Sequence, residues 1–133
     1  MQLQDALTIP KIFIGLDIHK KSWTVSIQTD LFFLYTYSMP SASEDLYQYV
    51  ERTFPGHEVH LVYEAGCCGF SVARHFLNLG WHVLVVNPAD VKTGDKERYQ
   101  KTDALDSKNL SNQLKQGVLK GIYIPTEEHE QFM

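Results

Sequence analysis

The sequence predicts an α/β fold: a mixed five-stranded sheet in which an antiparallel meander of strands 1-2-3 is continued by parallel strands 4 and 5, with helices on both faces. Three observations predict it. Residues 12–18 are apolar at nearly every position, as expected of a central strand covered on both faces. Residues 22–28 alternate, with Trp23, Val25 and Ile27 against Ser22, Thr24, Ser26 and Gln28, the period-2 pattern of a half-exposed strand. Further along, strands and helices alternate, the order that parallel crossovers require.

The elements follow in order. After the polar turn His19-Lys20-Lys21, the second strand runs to the Thr29-Asp30 turn, and a third, rich in aromatics, is expected over 31–37. Trp23, Phe32 and Tyr35 read as core. Ser43 is the expected cap of a helix whose Leu46, Tyr49, Val50 and Phe54 fall at helical spacing, ended by Pro55-Gly56. A fourth strand over 59–64 leads through a turn at 66–69 into a helix over 70–79 stopped by Gly80. The fifth strand covers 82–86. Residues 89–101 read as a polar surface loop, and Thr102 is the expected cap of a last helix running to about Gln116, with Gly117 as its stop.

Composition narrows the function classes. At 133 residues the chain suits one domain with a real core. Its 12 Lys+Arg against 16 Asp+Glu give a formal net charge of −4, which excludes a protein that coats nucleic acid through bulk positive charge. Any such contact must be local or metal-mediated. No apolar run reaches the ~18 residues of a membrane span, so a cytoplasmic protein without a membrane partner is expected. Its two cysteines, Cys67 and Cys68, are adjacent and fit neither a disulfide framework nor a CxxC site.

The chemistry points to four acids. Asp17 and Glu64 each come at the carboxyl end of an apolar strand; if those strands are parallel neighbours, both emerge where open α/β sheets bind ligands. Asp103 and Asp106 are three apart, so on a helix they share one face and continue the stripe of Leu110 and Leu114 that packs on the sheet. Acids on a buried stripe are costly unless paired or metal-bound. Four converging carboxylates would repel one another without cations, and two Mg2+ ions about 4 Å apart, with Mn2+ as a substitute, would neutralise them and drive phosphoryl transfer. Lys92, Lys96, Arg98 and Lys101, just ahead of Asp103, are candidates for nucleic-acid backbone contact. His57, His60, Cys67 and Cys68 match no common zinc spacing. Gly66 and Gly69 are explained by a strand-to-helix turn as well as by phosphate binding.

In order, GLDIHK, YEAG followed by a Gly-aromatic pair, VVNP and KTDALD resemble the amino-terminal domain of DEDD-type insertion-sequence transposases over residues 12–125. That domain is RuvC-like and belongs to the ribonuclease H-like fold. The resemblance implies that Asp17, Glu64, Asp103 and Asp106 are the metal-binding catalytic acids. It further implies metal-dependent cleavage and joining of double-stranded DNA, a guide RNA encoded by the element, and a homo-oligomer in the full-length protein. It also divides the chain into a polar leader (1–11), the catalytic domain (12–125) and the start of a helix (126–133) leading to a second domain that carries a catalytic serine. Without that domain the chain is expected to bind metal but not to recombine DNA. One departure is Ser107, where the family commonly has Ala. Two rival readings of the same residues are a stand-alone nuclease or junction resolvase, and an actin- or sugar-kinase-like nucleotide-binding domain. The bulky basic turn His19-Lys20-Lys21 speaks against the second. A third is a non-catalytic dimerisation or RNA-binding module.

Overall fold

A computed structural model of the chain describes residues 9–19, 21–31, 34–65, 70–87 and 107–122. Five strands form one sheet: β1 (Lys11–Ile18), β2 (Ser22–Thr29), β3 (Leu34–Pro40), β4 (Glu58–Glu64) and β5 (His82–Val86), in the order β3-β2-β1-β4-β5. The β1–β2 and β2–β3 pairs are antiparallel, and β1–β4 and β4–β5 are parallel. This is the mixed sheet of a ribonuclease H-like domain.

Helices α1 (Ser43–Thr53) and α2 (Ser71–Asn78) cover one face. There Ile12, Ile14 and Leu16 of β1 and Leu61 and Tyr63 of β4 are buried with Leu46, Val50, Ala73 and Phe76. The opposite face is covered by α3 (Ser107–Gln116), whose Leu110 packs with Val62 and Val86. Alternation along each strand therefore sends Phe13, Gly15 and Asp17 toward the α3 face, together with His60, Val62 and Glu64. Both Gly80 and Gly117 follow a helix with φ of 95° and 74°, and the next amide bonds back five residues, Trp81 to Phe76 and Val118 to Gln113, as glycine-ended helices do.

Some boundaries differ from the sequence expectation. The third strand begins at Leu34, three residues late, because Leu31 belongs to the turn; Trp23 is buried as expected, but Tyr35 is 40% exposed on the edge strand. Ser43 is the first helical residue and not the cap: Ala42 takes that place in extended conformation with no side-chain bond. The expected helix start at Thr102 and the loop over 89–101 lie outside the described residues, as does Phe32. Among the described residues no helix is long and apolar enough to cross a membrane.

Candidate functional site

The parallel register of β1 and β4 brings the first two acids together. Leu16 pairs with Tyr63, so the next residues along, Asp17 and Glu64, are side by side at the carboxyl end of the pair and on the α3 face. Glu64 is half-buried, and its carboxyl titrates above the ordinary range, first because burial disfavours the anion and then because Asp17 repels it. The strand register places the two carboxylates in one patch. The Asp17 carboxylate meets the imidazole of His19 at 3.2 Å, with about a third of the Asp17 side chain exposed. Among the described residues neither acid is paired with a Lys or Arg.

Helix α3 is held against this edge by several contacts. Gly15 lies directly under it: a Cβ there would meet the Ser107 carbonyl oxygen and come within 2.6 Å of the Ser111 amide nitrogen. Glycine is required because helix backbone occupies the space a side chain would need. The buried Ser107 and Ser26 hydroxyls hydrogen-bond at 2.7 Å, and Ser26 also reaches the Thr36 hydroxyl at 3.1 Å. Ser111 donates to the Phe13 carbonyl at 2.8 Å, and the Lys115 ammonium donates to the Thr29 carbonyl at 2.8 Å. Since Thr29 pairs with Ile12, α3 runs antiparallel to β1 and its Ser107 end lies toward Asp17. The departure at Ser107 thus has a local partner, since its hydroxyl is satisfied by Ser26.

Asp103 and Asp106 lie outside the described residues, as do Lys92, Lys96, Arg98, Lys101, Gly66, Gly69, Cys67 and Cys68. The sequence reading passed over His19, Gly15 and the Ser26–Ser107 pair. Gly15, inside an otherwise apolar strand, was a readable sign of close backbone approach; the serine pair spans 81 residues and left no local sign.

A second group stands at the other end of the same face. Glu58, His60 and His82 offer ligand atoms that all lie within 4.8 Å of one another. His57, which the sequence grouped with His60, instead packs edge-on against Phe54, and its Nδ1 lies 3.2 Å from the Pro55 carbonyl oxygen. His82 enters because β4 and β5 place it directly beside His60, a pairing 22 residues apart that no short spacing reveals.

Three comparisons bear on what this arrangement belongs to. A family model for DEDD transposases of the IS110 type, described simply as a transposase, matches residues 14–133. Over 74 residues the chain is 34% identical to the transposase-like protein y4qE of Sinorhizobium fredii, covering 54% of this chain and 18% of that protein. Over 125 residues it is 23% identical to the transposase for insertion sequence element IS1533 of Leptospira borgpetersenii, covering 90% of this chain and 36% of that one. The matched segments thus span less than two fifths of these relatives.

Proposed function

The chain belongs to the DEDD transposase family, and from that premise we propose that it is the metal-binding catalytic domain of an insertion-sequence transposase, acting in DNA strand cleavage and joining. The observation that carries the proposal is the placement of Asp17 and Glu64 as neighbours at the carboxyl edge of β1 and β4, on the face where α3 begins one residue after Asp106. In this reading Asp103 and Asp106 complete the set.

The donor set suits a hard divalent cation. Two adjacent carboxylates, one of them pushed toward higher pKa by burial and by the other, are oxygen ligands short of positive charge. Mg2+, or Mn2+ in its place and in our proposal as a pair of ions, would supply charge neutralisation, an activated attacking oxygen and a stabilised leaving oxygen. The protein's own contribution is positional. Strands β1 and β4 fix the two acids on rigid backbone, and the Gly15 contact and the Ser26–Ser107 bond fix the start of α3 against them. The His19 imidazole holds Asp17 from the solvent side. Lys92, Lys96, Arg98 and Lys101 are proposed to contact the DNA backbone. Double-stranded DNA, a guide RNA encoded by the element and a second copy of the full-length protein are the proposed partners, and a following domain with a catalytic serine would complete recombination.

Calorimetric titration of the chain with Mn2+ tests this reading. Binding is expected for the unaltered chain and is expected to weaken at least about tenfold in Asp17→Asn and in Asp106→Asn. Unchanged affinity in Asp106→Asn would remove the helix acids from the site.

A further inference from the structure

We infer that Glu58, His60 and His82 form a second, separate metal site, selective for a borderline divalent cation of the zinc type, at the amino end of the β4–β5 pair. This inference does not depend on the proposed function of the carboxyl end. Its first support is the donor set. One carboxylate and two imidazoles are the ligands Zn2+ takes, whereas Mg2+ prefers oxygen alone.

Geometry is the second support. Glu58 and His60 are two apart on β4, so they share a face, and His82 is the register partner of His60 on β5. Glu58 Oε2 and His60 Nε2 are joined by a 2.6 Å hydrogen bond, which an ion would replace on loss of the imidazole proton. A tetrahedral ion bound at ~2.1 Å needs neighbouring ligand atoms only ~3.4 Å apart, and all three lie within 4.8 Å. Two adjustments remain: the Glu58–His60 pair opens from 2.6 Å toward that spacing, and His82, an exposed side chain on the edge strand, turns its ring toward them. His60 is oriented by its neighbours, stacked between Phe13 at 5.2 Å and His82 at 4.6 Å. Ring packing on both sides is the kind of support that keeps a ligand in place.

The surroundings allow an ion to enter. A cleft of about 130 Å3, lined by His60, Leu61, His82, Val83, Leu84 and Leu114, opens beside the imidazoles. Three protein ligands leave a fourth tetrahedral position for water. Among the described residues Lys11 is the cation beside the group, its ammonium 3.9 Å from the Glu58 carboxylate and about half exposed, so it can swing into solvent when an ion binds. An ion held here would tie the edge strand β5 to β4.

The test is titration of the untagged chain with Zn2+, followed by calorimetry, and with Co2+, followed by visible absorption. Both use a background in which Cys67 and Cys68 are Ser so that thiols do not compete. We expect one Zn2+ per chain and the intense visible bands of tetrahedral Co2+. We also expect at least about a tenfold loss of affinity in His82→Gln and in Glu58→Gln. His82→Gln is the decisive variant because an exposed edge position tolerates it; unchanged far-ultraviolet circular dichroism confirms that it folds. Asp17→Asn is expected to bind Zn2+ as before. The inference is overturned by absence of saturable Zn2+ binding, by binding that survives both His82→Gln and Glu58→Gln, or by loss of binding in Asp17→Asn, which would assign the ion to the other end of the sheet.

Discussion

Strand β4 carries a candidate cation site at each end of one face, and the two differ in almost every respect except the backbone that holds them. At the carboxyl end Glu64 meets Asp17, oxygen against oxygen, beside the start of α3. At the amino end Glu58 meets His60 and His82, oxygen with nitrogen, beside an open cleft. The two glutamates titrate in opposite directions: burial and Asp17 push Glu64 up, while the hydrogen bond from His60 pulls Glu58 down against the opposing effect of burial. Strand register determines which side chains meet, and ligand type then determines which ion the meeting place favours.

The largest expected effect separates the two ends by activity. In a full-length protein with the proposed activity, Asp17→Ala is expected to lower metal-dependent strand cleavage at least about a thousandfold, since metal stabilisation of the transition state is worth several kcal/mol. His82→Gln is expected to leave cleavage near the unaltered level. Cleavage rates on a labelled DNA substrate measure both. Equal losses in the two variants would mean that the ends do not act independently.

How far this division was readable from the sequence depended on the range of the contacts. The sheet order was legible because an apolar run marks β1 and alternation marks β2, although the alternation gave no sign that Ser26, on the polar side of β2, is buried under α3. The pairing of Asp17 with Glu64 was legible because both end apolar runs, and parallel strands bring such ends together. The expected start of β3 at Leu31 falls in the turn, because an apolar residue there reads in sequence like the strand that follows it. The amino-end group was not legible at all. Glu58 and His60 alternate with apolar residues like any half-exposed strand, and His82 joins them only through the β4–β5 register.

A smaller effect probes the helix that borders the carboxyl end. Gly15→Ala would drive a methyl group into the Ser107 carbonyl and the Ser111 amide, backbone atoms that move only if α3 moves. The expected cost is about 1–3 kcal/mol in urea unfolding, accompanied by weaker Mn2+ binding and unchanged Zn2+ binding. Unchanged stability would show that α3 shifts freely and fixes nothing. Ser26→Ala strands the buried Ser107 hydroxyl and is expected to cost about 1–2 kcal/mol, part of which the Ser26→Ala/Ser107→Ala pair should recover.

The smallest effect is a slope. Without metal, Glu64 binds its proton more tightly folded than unfolded, so its contribution to stability is fully present below the ordinary carboxylate pKa and is lost as pH rises through its elevated folded value. Glu58 runs the other way: its lowered value gives stability above the ordinary pKa that is lost as pH falls through the folded one. In chelator, Glu64→Gln should therefore gain stability relative to the unaltered chain as pH rises from acid to neutral, and Glu58→Gln should lose it. Adding Mg2+ should reverse the first ranking, because the ion favours the ionised Glu64 that the fold alone disfavours, and should leave the second unchanged. Melting temperatures across the acid-to-neutral range, with chelator and with Mg2+, read both slopes. Parallel curves for Glu64→Gln and the unaltered chain in chelator would mean that burial and Asp17 place no measurable strain on Glu64, and the electrostatic case for a cation at that end would fall.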